Sequence, residues 1–160
     1  MTTPRLELRN LSKRFGNVIV ADGLDLTVSP NQALGIVGPN GAGKSSLFSM
    51  ISGDLDPDKG TVLLDGADVT RKRADVRAAH GVGRTFQIPR PFEGLTVFEN
   101  VLVFATAAAG LRKDEANRLA ASSLERCGLG DLANQPAGAL GLLDRKRLEV
   151  ARALGSDPQL

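Results

Sequence analysis

Between Gly38 and Ser45 the chain reads Gly-Pro-Asn-Gly-Ala-Gly-Lys-Ser, the spacing G-x-x-x-x-G-K-S. Glycines so placed let the main chain curl tightly enough to aim several N–H groups at one spot, which is what a bound phosphate requires. Gly38, Gly41 and Gly43 meet that need. Lys44 adds a point charge for the β- and γ-phosphates, the Ser45 hydroxyl offers a ligand to Mg²⁺, and a helix starting here turns its positive end toward the anion. The chemistry indicated is the holding of a nucleoside triphosphate. Four fixed positions arise by chance in roughly one chain of this size in a few hundred, so the flanking elements must decide.

Those elements stand in the required order. Ala33-Leu34-Gly35-Ile36-Val37 is a short apolar run of the buried-strand type. From Ser45 to Ser52 the spacing puts Leu47, Met50 and Ile51 on one helical face, and Gly53 closes that helix. Upstream, Leu6 and Leu8, Val18 and Val20, and Leu24, Leu26 and Val28 alternate with other residues at the period of half-buried strands, so the first thirty residues read as an antiparallel β-meander. Thr61 to Leu64 reads as a short strand, Asp65-Gly66 as a hairpin turn, and Val82 to Phe86 as a further strand.

From Pro89 the period becomes helical. Thr96 and Glu99 form a capping box ahead of Val101-Leu102-Val103-Phe104, starting a helix that ends near Gly110. Leu119, Ala120, Leu124 and Cys127 line a second helix stopped by Gly128. A third is expected from Asp144 to Leu154, with Leu148, Ala151 and Leu154 inward, Arg145, Lys146 and Glu149 outward, and Gly155 as its stop. The resulting class is α/β, with a sheet core over residues 1–88 and a helical subdomain over 89–160.

A chain of 160 residues with 42% hydrophobic content suffices for about one domain. The net charge of +2 is small and its cations are dispersed, which argues against nucleic acid as a partner. Arg71-Lys72-Arg73 reads as a solvated face. The single cysteine, Cys127, allows no internal disulfide and reads as a small hydrophobe, and His80 as a surface or turn residue. Neither a signal-peptide core nor a run long enough to span a bilayer is visible, so the expectation is a soluble, cytoplasmic chain.

Taken in order, these segments resemble the ATP-binding subunit of ABC transporters, most closely the branched-chain amino acid uptake group. The resemblance is carried by Gly38 to Ser46, by Gly83-Arg-Thr-Phe-Gln87 with Leu95-Thr-Val-Phe-Glu-Asn-Val101, and by Arg147-Leu-Glu-Val-Ala-Arg-Ala-Leu154. It implies a P-loop NTPase core, and ATP and Mg²⁺ bound by Gly38, Pro39, Asn40, Gly41, Ala42, Gly43, Lys44, Ser45 and Ser46. It also implies an adenine stacked on Phe15, and Gln87 as a glutamine joining the Mg²⁺ shell, alongside Ser45, to the surface where a membrane subunit docks. The partners implied are a second ATP-binding subunit, identical or not, and transmembrane permease subunits at the inner face of the membrane.

Two departures qualify the resemblance. Leu140-Gly141-Leu142-Leu143-Asp144 stands where the family carries Leu-Ser-Gly-Gly-Gln, whose serine and glycine reach the γ-phosphate held by the other subunit. Gly141 lacks that hydroxyl, Leu143 replaces a glycine, and Asp144 brings a negative charge. The chain also ends Ser156-Asp157-Pro158-Gln159-Leu160, where the family begins the Walker B strand, so neither the Walker B aspartate nor the catalytic glutamate is found within these residues. The expectation is a chain of marginal stability that binds nucleotide without hydrolysing it alone. Rival readings are a regulatory or repair ATPase of the same superfamily, a small-molecule kinase sharing only the loop, and a fragment with no function of its own.

Overall fold

The computed structural model describes residues 3–160 and divides into two compact units, one running to His80 with Leu160, the other Gly81–Gln159. The first is built on a four-stranded antiparallel sheet of β1 (Leu6–Phe15), β2 (Val18–Val28), β3 (Lys59–Leu64) and β4 (Ala67–Asp68), in the order β2-β1-β3-β4. Alternation sets its face: Leu6 pairs with Val28 on one side and Leu64 on the other, and Leu8 with Leu26 and Val62, giving two apolar rows. Asp65 and Gly66 both take positive φ, 48° and 81°, as a tight two-residue hairpin between β3 and β4 demands. Two helices complete the unit, α1 (Lys44–Ser52) and α2 (Ala74–Ala79). Leu47, Met50 and Ile51 are the buried face of α1, as their spacing implies.

One expected strand is absent. Ala33–Val37 takes no strand conformation, and Val37 is 94% exposed. A β-strand exists only where a neighbour accepts and donates its ladder hydrogen bonds, and no strand among the described residues pairs with this segment. Its apolar composition is that of a strand covered on both faces, a condition these neighbours do not supply. The meander also differs in detail. Val18–Val20 and Leu24–Val28 belong to one long strand, bent at Gly23, whose φ is 58°.

The second unit is helical: α3 (Val97–Ala107), α4 (Lys113–Arg126) and α5 (Leu142–Gly155). Val97, Val101, Ala120, Leu124, Leu129, Leu148 and Ala151 form its core, with the part-buried Cys127 against them. Desolvation raises the Cys127 thiol above its ordinary value, as befits a small apolar filler. Val82–Phe86 is not a strand. Here the main chain is drawn against the C-terminal segment instead, with the Gln159 N–H donating to the Gly81 carbonyl at 2.8 Å and Gly83 lying against Pro158.

Helix α5 begins two residues before Asp144 and includes Gly155 as its last residue. Gly155 is not a left-handed stop beyond the helix: a β-carbon there would meet Val101 of α3 at 2.6 Å, so it is the small residue that lets two helices touch. Glu149, expected outward, is buried and paired with Arg152 at 2.6 Å. Leu154, expected inward, is only half-buried. A period of 3.6 assigns faces by residue type, and a carboxylate that brings its own cation is the case it misplaces.

The capping box is formed as its spacing requires. Thr96 donates its N–H to Glu99 at 2.8 Å, and the Thr96 hydroxyl accepts from the Glu99 N–H at 3.1 Å. Thr96→Ala should therefore destabilise the helical unit by about 1 kcal/mol in chemical denaturation. The Thr96 N–H, then its hydroxyl, hold the Glu99 carboxyl below the ordinary glutamate range. Its stabilisation is complete above that ordinary value, near about 4.3, and is lost as pH falls through the lower native one. The gap in stability between wild type and Glu99→Ala should shrink correspondingly in acid.

Candidate functional site

Helix α1 carries the loop, and its N-terminus is built for an anion. Gly41 and Gly43 both lie in the left-handed region, at φ 83° and 85°, which a β-carbon would resist. No side chain caps α1, and its first turn contains no acid. The first N–H groups of any helix lack intrahelical acceptors. Helix α3 answers that need with Thr96 and Glu99, whereas α1 leaves its own to whatever the loop binds.

Lys44 holds the curl from inside. Its ammonium donates to the carbonyls of Gly38 and Pro39 at 2.7 and 2.8 Å, and the Ala42 N–H closes a turn on Pro39 at 3.2 Å. A cation thus sits in the concavity of a loop whose exposed residues Pro39, Asn40, Gly41 and Ala42 form its rim. Ser45 is exposed and Ser46 half-buried in the first turn. These residues fit a triphosphate: amide donors, one ammonium and a hydroxyl, with no carboxylate opposing them.

A second close approach fixes where the loop lies. The β1–β2 register changes by one residue between Lys13↔Ala21 and Arg14↔Ile19, leaving Val20 as an extra residue on β2. A methyl on Gly43 would overlap the Val20 carbonyl oxygen. The α1 N-terminus is thereby seated on the end of the hairpin that also carries Phe15. Phe15 is 49% exposed, pairs across to Val18, and is flanked on β2 by exposed Val18 and Ile19.

The Lys13 ammonium lies 5.5 Å from the Phe15 ring centroid and is held by Asp58 at 2.9 Å, while the other Asp58 oxygen accepts from the Arg14 N–H at 2.8 Å. Lys13, then the Arg14 amide, keep the Asp58 carboxyl below the usual aspartate range. Sequence reasoning singled out Phe15 and passed over Asp58, whose turn-like setting Asp56-Pro57-Asp58 masks a contact made 44 residues away.

Gln87 belongs to the other unit, on an exposed irregular segment. Beside it Phe86, Ile88 and Phe92 are exposed. Two helices tie down the main chain from Arg90 to Phe92. Glu149 accepts from the Arg90 N–H at 3.1 Å and Arg152 donates to the Arg90 carbonyl at 2.9 Å, both from α5. From α3, the Asn100 amide accepts from the Phe92 N–H at 2.8 Å and donates to its carbonyl at 3.0 Å. Arg152 also lies over the rings of Phe92 and Phe104, at 5.2 and 4.7 Å.

The segment Leu140–Asp144 opens α5. Leu140 is buried in the helical core, Gly141 is the N-cap with no side-chain cap, and Leu142 and Leu143 are 67% and 63% exposed. Asp144 sits in the first turn and pairs with Arg147 at 3.1 Å. Unlike α1, this helix start already carries a negative charge. His80, at the end of α2, is exposed, with Nδ1 on the Val76 carbonyl at 2.8 Å. Among the described residues no group of three or more His, Cys, Asp or Glu could hold a metal ion by itself, and no helix is long and apolar enough to cross a membrane.

Comparison with known proteins bears on the same residues. The family model described as "ABC transporter" matches residues 21–160. The chain is similar to the high-affinity branched-chain amino acid transport ATP-binding protein BraF of Pseudomonas aeruginosa, 35% identical over all of this chain and 68% of that protein. It is also similar to the lipopolysaccharide export system ATP-binding protein LptB of Haemophilus influenzae, 32% identical over 96% of this chain and 64% of that one. Among solved structures it resembles the ADP conformation of MJ1267, an ATP-binding cassette of an ABC transporter, with TM-score 0.83 and 32% identity over 98% of this chain and 66% of that chain. The chain thus spans about two thirds of the length of these relatives.

The overlap at Gly43 generates a direct test. Gly43→Ala combines a left-handed φ with a methyl driven into Val20, so it should cost at least about 2 kcal/mol of stability in denaturant titrations. Gly16→Ala, also left-handed but with open space around it, should cost less.

Proposed function

This chain belongs to the ABC transporter family of ATP-binding domains, and from that premise we propose that it binds ATP through the loop Gly38 to Ser46 and works as the ATP-binding component of a solute transporter. The observation that carries this is the start of α1: an uncapped, acid-free helix N-terminus behind two left-handed glycines, with Lys44 inside the curl. In water such a cluster of donors has little intrinsic selectivity. Fixed in place, the loop amides meet a triphosphate already aimed, and the Lys44 side chain is the group that must change partners.

The residues divide the work. The amides of the loop orient the β- and γ-phosphates, and Lys44 exchanges its two loop carbonyls for phosphate oxygens. Phe15 offers a half-exposed ring for the adenine, on a hairpin end stiffened by Asp58. Ser45 would offer its hydroxyl to Mg²⁺, which when bound neutralises charge on the phosphates. A hydroxyl is a neutral and weak donor, suited to an ion that keeps water and phosphate ligands. Hydrolysis in this reading needs the Walker B aspartate and the catalytic glutamate, which these 160 residues do not include, as well as a second ATP-binding subunit. Its coupling to transport passes through permease subunits at the inner face of the membrane, docked near Gln87 and its exposed Phe86, Ile88 and Phe92.

Import of branched-chain amino acids or similar small solutes is the transport reading we favour, supported by the likeness to BraF over the whole chain. The likeness to LptB, named for an export system, marks how little of the transported cargo these residues specify. At the α5 start, Asp144 should weaken any contact with a γ-phosphate. Its partner Arg147 moderates that effect.

Titration of the protein with a fluorescent ATP analogue tests the central claim. Lys44→Ala should weaken binding by about tenfold or more, and absence of saturable binding to wild type would sink the proposal. Phe15→Ala should lose about 1–3 kcal/mol of ATP affinity while leaving the affinity for inorganic triphosphate unchanged, because only the base meets the ring.

A further inference from the structure

The other end of α1 carries a device that the nucleotide reading does not use. Arg77, on α2, is completely buried, and its four hydrogen bonds all end on main-chain carbonyls. Nη1 donates to Met50 and Ile51 at 2.6 and 2.9 Å, Nη2 to Thr70 at 2.9 Å, and Nε to Lys72 at 2.9 Å. Met50 and Ile51 lie in the last turn of α1, which has no basic residue of its own. Those carbonyls are the ones a helix cannot satisfy internally, and a cation there complements the negative end of its dipole.

The surroundings are shaped to admit the guanidinium. Gly53 ends α1 at φ 84°, and a β-carbon on it would lie 2.8 Å from Arg77 Nε. Thr70, whose carbonyl Arg77 holds, accepts the Val62 N–H of β3 through its hydroxyl at 2.9 Å. Arg77 therefore fastens the end of α1 to a loop that is itself fastened to the sheet. Asp54, Asp56 and Asp68 add long-range negative charge that offsets part of the cost of burying the cation.

We propose that Arg77 is a positioning residue for the phosphate-binding loop: by locking the C-terminus of α1 it fixes the axis on which the loop amides at the N-terminus are aimed. The inference rests on the reading that Gly38–Ser46 binds the phosphates of a nucleotide. Helix α1 has only nine residues, little more than two turns, so a tilt or fraying at one end reaches the other. An arginine is needed because four carbonyls lie around one planar fork; an ammonium reaches fewer of them.

The test uses the full chain, a fluorescent ATP analogue and amide hydrogen exchange. Arg77→Met should weaken analogue binding about tenfold and speed exchange across residues 44–53, at a temperature where circular dichroism shows the variant folded. Arg77→Lys should fall between wild type and Arg77→Met in both readouts, and it serves alone should Arg77→Met not fold. Leu64→Ala, in the sheet core away from the loop, provides a variant of lowered stability that should bind the analogue as wild type does. Unchanged binding in both Arg77 variants, or the same loss in Leu64→Ala, would reduce Arg77 to a purely structural part and overturn the inference. Wild type that fails to bind, or binding indifferent to Lys44→Ala, would instead overturn the nucleotide reading and this inference with it.

Discussion

A helix of nine residues held at both ends by glycine is the constraint on which the first unit depends. At its start, Gly43 is pressed against the Val20 carbonyl, so the main chains of α1 and β2 approach closer than any side chain would allow. At its finish, Gly53 opens the space for Arg77. Between them Leu47, Met50 and Ile51 pack inward. Isolated, so short a helix would be marginal, and its geometry is imposed by these contacts rather than by propensity. The direction of its amides follows from that placement.

The same physics, with opposite outcomes, separates the helix starts. Helix α3 satisfies its first N–H groups with a threonine and a glutamate, which makes it stable and closed to ligands. Helix α1 offers an open start without acids. Helix α5 lies between, uncapped by any side chain yet carrying Asp144 in its first turn. Whether a helix N-terminus is structural or receptive is thus set by one or two residues. In this chain those residues favour anion binding at α1 over α5.

In the helical unit the polar contacts serve a loop rather than a ligand. Glu149 and Arg152 form a buried pair whose spare hydrogen bonds go to the main chain of Arg90, and Asn100 does the same for Phe92. A buried ion pair adds little to stability by itself. Here it fixes the segment after Gln87 to α5, as Asn100 fixes it to α3, and leaves Ile88 and Phe92 as exposed apolar residues of that segment.

Much of this was legible in the residues. The phosphate loop, its helix, the capping box at Thr96 and Glu99, the Asp65-Gly66 hairpin and the three later helices are local features, decided by spacing and by which residues tolerate a given φ. What failed was non-local. Ala33–Val37 has strand composition but no ladder partner, and Val82–Phe86 is no strand either, with Gly83 against Pro158 and the neighbouring Gly81 bonded to Gln159. Glu149 turned inward because Arg152 and Arg90 meet it there. By itself the sequence determined the family, the glycine-rich turn ahead of α1 and the order of the helices from α3 onward, since these depend on neighbours a few residues apart. Only the tertiary structure decided that Gly43 seats on Val20, that Asp58 braces the Phe15 hairpin and that Arg77 locks α1, because each joins residues more than twenty positions apart whose types alone carry no sign of the meeting.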